Sequence, residues 1–117
     1  MIKFRAWDKE SQRMFNVARF DFADYTVYSH LFSCDGYLGE NLEIMQSTGL
    51  KDKNSVEIYE GDVVNREKGL GIPHEIIFKN CEFKLVTPHS EESLGKTRKG
   101  GLIIVGNKYE HPHLLEE

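Results

Sequence analysis

Hydrophobic and polar residues alternate along short stretches of the first part of this chain, with the two-residue period of β-strands. The pattern predicts short strands over residues 3–7 and 14–17, on either side of a polar run. Aromatic and apolar residues at alternate positions predict a longer strand over 19–28. A cluster of small and polar residues over 33–41 indicates a loop, and 42–46 is typical of another short strand.

The second part of the chain shows the same alternation more regularly. Gly61 and Asp62 predict a tight turn before a strand, because glycine accepts a positive φ and aspartate can accept hydrogen bonds from backbone N–H groups two residues on. The polar stretch 87–101 predicts a long loop, and Pro112 is typical of the first position of a final helical turn. The strands predicted here cover residues 56–59, 63–67, 75–78, 82–86 and 102–105.

These elements predict a mainly β protein with little helix. Short strands joined by short turns can close into a small barrel, which removes exposed strand edges. We therefore expect an N-terminal, β-meander-like part over residues 1–47 and an SH3-like small barrel over 48–117. The polar connector 48–55 marks their junction, and the two parts form either separate subdomains or one continuous domain.

Composition narrows the classes of function. The chain has 117 residues, of which 39% are hydrophobic and 29% charged, and this balance favours a packed globule over disorder. It lacks both the long apolar run of a membrane helix and the apolar core of a signal peptide, so we expect a cytoplasmic protein that does not enter the membrane. The net charge of -4 is shared equally by residues 1–46 and 47–117, which disfavours a broad basic surface for nucleic acid.

Residue types capable of catalysis or metal binding are present without the spacing that such sites need. Cys34 and Cys81 are predicted to be free thiols, and the spacing of His111 and His113 is not that of a zinc site. Glu57 and Glu60 would point to opposite faces of a strand, so with Asp62 they do not form a ready acid and base pair. Asp62 is instead expected to cap a turn. We therefore expect no catalytic residues, no metal and no cofactor.

Four separated blocks of sequence resemble the YopX family of phage and prophage proteins. They are residues 4–8, 45–54, 57–64 and 105–110 with 112–115. The resemblance implies a mostly β protein of a phage or of a prophage-bearing bacterium, acting in the host cytoplasm and without an assigned activity. The positions that carry it, with no role assigned, are Trp7, Asp8, Gly49, Asp52, Tyr59, Gly61, Asp62, Gly106, Asn107 and Tyr109.

The chain departs from the family pattern at one turn. Ser55 and Val56 stand where a Gly-Lys pair is common in the family. The glycine-based hairpin turn that the family pattern suggests after Asn54 therefore lacks its glycine here.

Two hypotheses for function follow from these observations. The first is a non-enzymatic module for protein interaction or assembly, because the aromatic-rich stretch 20–28 exceeds what one small core covers. Its partner would be a host protein, a phage protein or a second copy of the chain in a homo-oligomer. The second, less favoured hypothesis is nucleic-acid binding through Lys96, Arg98 and Lys99, whose field Glu91 and Glu92 partly cancel.

Overall fold

The computed structural model describes residues 3–24, 26–29, 36–37, 42–67, 71–96 and 101–115. The chain divides into two compact units, Met1–Gln46 and Ser47–Glu117. Throughout the described ranges the regular structure consists of antiparallel strands and two short 3-10 helices, Leu94–Lys96 and Pro112–Leu115. The prediction of a mainly β protein with little helix is confirmed.

The first unit is an antiparallel sheet. Its strands are β1 (Phe4–Asp8), β2 (Arg13–Asp21), β3 (Thr26–Ser29), β4 (Gly36–Tyr37) and the first half of β5 (Leu42–Lys51), in the order β4-β3-β2-β1-β5. Ala6 lies between Phe15 of β2 and Ile44 of β5 in the register. The buried apolar side chains of this unit are Ala6, Trp7, Val27, Leu42 and Met45.

The second unit contains a five-stranded antiparallel sheet. Its strands are β7 (Asp62–Arg66), β8 (His74–Lys79), β9 (Glu82–Thr87), β10 (Ser90–Ser93) and β11 (Leu102–Asn107), in the order β10-β9-β8-β7-β11. The second half of β5 pairs with β6 (Glu57–Tyr59). The apolar core of this unit consists of Ile58, Val64, Ile76, Leu85, Leu94 and Leu102.

The hairpin of β8 and β9 has a two-residue loop. Asn80 and Cys81 both have positive φ, 53° and 65°, between the paired residues Lys79 and Glu82. Two successive positive φ values are typical of a type I′ turn, whose twist matches that of the strands it joins. The turn was predicted, although cysteine is an unusual residue for its second position.

Three sequence predictions are corrected. Residues 19–28 are two strands rather than one, because the Asp21 carboxylate accepts hydrogen bonds from Ala23 and Asp24 N–H and turns the chain. β5 continues to Lys51, so only the later part of the predicted connector 48–55 is a turn. The stretch 87–101 contains β10 and the 3-10 helix Leu94–Lys96, in which the buried Leu94 joins the core.

Of three further predictions, one is confirmed, one lies mostly outside the described residues and one stays a prediction. The final helical turn at Pro112 is confirmed as the 3-10 helix Pro112–Leu115. Most of the predicted loop 33–41 lies outside the described residues, and Gly36–Tyr37 form β4. An SH3-like closure of the second part stays a prediction.

A candidate binding groove

A groove with a volume of about 620 Å³ opens at one end of the five-stranded sheet. Segments before and within β8, around the β9–β10 turn and in the C-terminal 3-10 helix enclose it. Its volume is in the range of sites that bind small molecules. The residues that line it are Ile72, Pro73, His74, Glu75, Val86, Thr87, Pro88, His89, Ser90, Leu114 and Leu115.

The registers of β8, β9 and β10 determine which residues line one side of the groove. Glu75 of β8 and Val86 of β9 are direct partners, so their side chains share a face of the sheet. The next hairpin closes with the pair Thr87 and Ser90, whose hydroxyl oxygens are 2.9 Å apart. These two hydroxyl groups therefore bond to each other at the rim.

The His74 side chain has a structural role. Its ring is buried, and Nδ1 lies 2.9 Å from the carbonyl oxygen of Ile72. Because a carbonyl only accepts hydrogen bonds, Nδ1 donates its proton to it. This bond holds the chain before β8 against the strand, while the Ile72 side chain stays half exposed at 50%.

The opposite wall is the C-terminal 3-10 helix, which lies against Gly106 of β11. A Cβ atom at Gly106 would be 2.7 Å from both His111 Nδ1 and Leu114 Cδ1. The Asn107 N–H donates to His111 Nδ1, and the Leu114 N–H donates to the His111 carbonyl. Glycine is thus required at position 106 for the wall to approach the sheet.

The carboxylate that lines the groove is neutralised. Glu75 lies 3.6 Å from the Lys108 ammonium, which also lies over the Tyr109 ring at 5.1 Å. Burial alone would lower the pKa of Lys108, but its electrostatic interactions and hydrogen bonds with Tyr109 and Glu75 outweigh burial, and the pKa is raised. Lys108 therefore stays charged beside Glu75. The two opposite charges balance, so this pair adds no net charge to the groove.

Asp52, a position that carries the family resemblance, holds a turn. Its Oδ1 accepts hydrogen bonds from Asn54 and Val56 N–H at 2.8 and 2.9 Å, and its Oδ2 accepts one from Ile104 N–H at 3.0 Å. Burial alone would raise the pKa of this carboxyl, but the three bonds outweigh it and the pKa is lowered. Ser55, at φ 64°, completes the turn without a glycine.

Asp62 holds the next turn. Its carboxylate is buried and accepts a hydrogen bond from Tyr59 N–H at 2.8 Å. Gly61 has a φ of 87°, donates to the Ile76 carbonyl and accepts from Lys108 N–H. Asp62 therefore holds a turn as expected, but its carboxylate accepts from the N–H three residues before it rather than from N–H groups two residues after it.

Asn107 holds the turn after β11. Its side-chain oxygen accepts hydrogen bonds from Tyr109 and Glu110 N–H, and its amide nitrogen donates to the Glu110 carboxylate. The Asn107 carbonyl accepts a bond from His111 N–H. Asn107 therefore orients the segment that becomes the wall of the groove.

The remaining positions of the resemblance are also part of the framework. Trp7 is buried in β1, and the Asp8 carboxylate accepts bonds from Glu10 and Ser11 N–H in the turn that follows. Gly49 has a φ of 81° at a register shift of β5, and Tyr59 ends β6.

Comparison with known protein families shows to which family the chain belongs. It matches the YopX protein family over residues 3–116. The chain belongs to the YopX family. The resemblance in the four sequence blocks is thereby confirmed, and within this YopX chain the residues that carry it stabilise turns and strands.

Two solved structures share this architecture. Protein EF1440 from Enterococcus faecalis is 30% identical, with a TM-score of 0.71 and 99% of each chain covered. Protein yopX from Bacillus subtilis is 18% identical, with a TM-score of 0.68, and the match covers 98% of this chain and 96% of that one. The second likeness is one of fold alone. No curated protein sequence matches this chain significantly.

The residues predicted for nucleic-acid binding are only partly described. Lys96 ends the 3-10 helix Leu94–Lys96, while its side chain, Arg98 and Lys99 lie outside the described residues. Glu91 and Glu92, predicted to weaken their field, form ion pairs with Lys79, Lys84 and Arg66. Nucleic-acid binding stays a prediction.

The metal-ligating residue types do not converge where the structure can be described. Among those residues no group of three or more His, Cys, Asp or Glu side chains could hold a metal ion. The rings of His111 and His113 are 6.2 Å apart, and His111 is engaged with Asn107. Within the same described part of the chain, no helix is long and apolar enough to cross a membrane.

The groove itself was not predicted. Its lining comes from three segments that are distant in sequence, and only Leu114 and Leu115 lie in a block of the resemblance. One signal was available, since Ile72 and Pro73 form an apolar pair in a polar turn region before β8. That signal identifies an exposed apolar residue but not the surface beside it.

Proposed function

We propose that this chain is a non-enzymatic protein-interaction module, and that an apolar segment of a partner protein docks in the groove. The observation that carries this proposal is the apolar groove with the half-exposed Ile72 among its lining residues. An exposed large aliphatic side chain beside a concave apolar surface is typical of a binding site. The partner is a host or phage protein in the bacterial cytoplasm, as the family resemblance suggests.

The electrostatics of the groove support an apolar partner segment. Glu75 is paired with Lys108, and the imidazole of His74 is engaged with the Ile72 carbonyl. The charge of Glu75 and the Nδ1–H of His74 therefore have partners within the chain, so a docked apolar side chain would not bury these two groups unpaired.

A matched pair of variants tests this proposal. Ile72→Asp places a charge at the groove, whereas Val56→Asp places the same charge at a comparably exposed apolar residue, 52% against 50%, in the turn after β5. Tagged wild-type protein and both variants are used for affinity capture from phage-induced cells with quantitative mass spectrometry. A charge at a binding hot spot is expected to weaken binding by about 30-fold.

We expect a protein partner that the wild type and Val56→Asp capture equally, that Ile72→Asp loses, and that nuclease treatment leaves in place. Equal capture by all three proteins would contradict docking in the groove. Loss of the partner on nuclease treatment would favour nucleic-acid bridging instead.

A further inference from the structure

Among the strands that the structure describes, β10 is the outermost of the five-stranded sheet, and its first three residues are exposed while Ser93 is partly buried. It pairs with β9 on one side and ends the strand order. Ser90, Glu91 and Glu92 are all exposed. A strand at the edge of a sheet presents backbone donors and acceptors that a further strand can pair with.

The β9–β10 turn determines which backbone groups face outward. Its loop has two residues, so the closing pair Thr87 and Ser90 direct their N–H and C=O groups at each other. Backbone direction alternates along a strand, so Glu91 and Ser93 direct theirs away from β9. These two residues form the pairing edge.

The charges of β10 are satisfied across the sheet rather than outward. Glu91 pairs with Lys79 and Lys84, Glu92 pairs with Arg66, and Lys84 also pairs with Glu82. Three carboxylates therefore balance three cations. Charged side chains on an edge strand ordinarily oppose pairing with another chain, but here they are held over the sheet and carry no net charge.

The edge is continuous with the groove, because Ser90 belongs to both. We propose that the partner segment adds to β10 as an extended strand, and that one large aliphatic side chain of that segment enters the groove. This inference rests on the docking proposed above and specifies its form. The segment is uncharged because the edge is neutral, it carries an aliphatic residue because the groove is apolar, and its other residues are mainly β-branched because these suit an extended strand. Backbone bonds to Glu91 and Ser93 provide affinity, and the groove provides specificity.

The test uses a synthetic peptide with capped ends, in which valine and threonine alternate and a leucine stands near one terminus. Binding to the full chain is followed by backbone amide NMR and by titration calorimetry. We expect the Glu91 and Ser93 amides to gain protection from hydrogen exchange. Affinity should change less than about twofold between about 50 and 300 mM salt, because no net charge is involved.

Two variants of one residue isolate the backbone contribution. Both Ser93→Pro and Ser93→Ala remove the serine hydroxyl. Only Ser93→Pro also removes the outward backbone N–H. We expect Ser93→Pro to weaken binding about tenfold and Ser93→Ala to leave it unchanged. Because Ser93→Pro could also disturb folding, wild-type protein is tested with peptides methylated on alternate backbone nitrogens. One of the two methylated sets should abolish binding.

The outcomes separate the two proposals. If Ser93→Pro and both methylated peptides bind like their controls while Ile72→Asp does not bind, the groove binds a side chain and strand addition is wrong. If neither Ile72→Asp nor Ser93→Pro changes binding, docking at this site is wrong. If the peptide does not bind, addition of an uncharged strand to β10 is wrong, while the capture experiment still decides whether the groove binds a partner. Concentration-dependent dimerisation that Ser93→Pro abolishes would mean that a second copy of the chain pairs here, which overturns the proposed partner.

Discussion

The carboxylate of Asp52 accepts a hydrogen bond from the backbone N–H of Ile104, which is 52 residues later in the chain. The same carboxylate holds the turn that follows β5, so one side chain joins this turn to β11. Asp52 is 6% exposed, and its loss would leave the backbone N–H groups of Asn54, Val56 and Ile104 without their carboxylate acceptor.

Replacing Asp52 should therefore destabilise the second unit. Asp52→Asn keeps the shape but replaces one acceptor oxygen with a donor, and we expect it to lower the free energy of unfolding by about 2–3 kcal/mol. Urea denaturation at neutral pH measures the loss. Asp24→Asn, at an exposed position, is the control and should change stability by less than about 0.5 kcal/mol. A loss no larger than that of the control would contradict this account of Asp52.

The same carboxylate predicts a pH dependence. Its folded-state pKa is lowered from 3.8, so its ionised form contributes stability above that unfolded value, and the contribution is lost as pH falls through the folded pKa. The difference between wild type and Asp52→Asn should be full at neutral pH and should shrink below about pH 4. Urea denaturation over a series of pH values checks this, and a constant difference would contradict it.

Ser55 occupies a position at which glycine would be preferred. Its φ of 64° is unfavourable for a residue with a Cβ atom, and its backbone N–H donates to the Asp52 carbonyl. We expect Ser55→Gly to raise the free energy of unfolding by about 1 kcal/mol. Ser55→Ala keeps the Cβ atom and is the control. A decrease in thermal midpoint for Ser55→Gly would show that the serine is favoured for another reason.

Cys81, in the β8–β9 turn, also occupies a position at which glycine would be preferred. Its φ is 65°, and it is exposed. Cys81→Gly should stabilise the protein by about 1 kcal/mol, because asparagine followed by glycine is the preferred sequence of a type I′ turn. Cys81→Ser removes the thiol but keeps the backbone constraint, so its thermal midpoint should stay near that of wild type. Equal effects of the two substitutions would attribute any gain to loss of the thiol.

A substitution at Gly106 tests how closely the 3-10 helix Pro112–Leu115 approaches β11. Gly106→Ala would force His111 and Leu114 away from β11, at a cost of about 1–3 kcal/mol for overpacking. Gly95→Ala is the control, because its Cβ atom would lie 3.7 Å from the nearest atom, Ser93 Oγ. We expect NMR shifts along the 3-10 helix Pro112–Leu115 for Gly106→Ala alone. The absence of such shifts would contradict the close approach of helix and sheet.

Structure that depends on residues close together in the sequence could be predicted, whereas structure that depends on distant residues could not. The β8–β9 hairpin was predicted because apolar alternation flanks a short turn on both sides. The continuation of β5 was missed because its polar residues are satisfied within the sheet. Thr48 donates to the Ile58 carbonyl, and Ser47 accepts from Gly49 N–H. Polar residues with such partners look like a loop in the sequence.

The candidate site was less accessible to prediction for the same reason. Local patterns identified Asp62 as a capping residue, since its partner Tyr59 is three residues away. The groove depends on bringing Ile72 to the same cavity as Leu114, which follows from the strand order and from the space that Gly106 leaves. Neither property is encoded in a short window of sequence.

The position of Trp7 gives the first unit a fluorescence signal of its own. It is the single tryptophan of the chain, and it is buried in β1 of the first unit. Tryptophan fluorescence therefore reports the unfolding of that unit, whereas the Gly106 and Asp52 substitutions act on the second. If these substitutions shift the tryptophan transition as much as the circular dichroism transition, the two units unfold cooperatively.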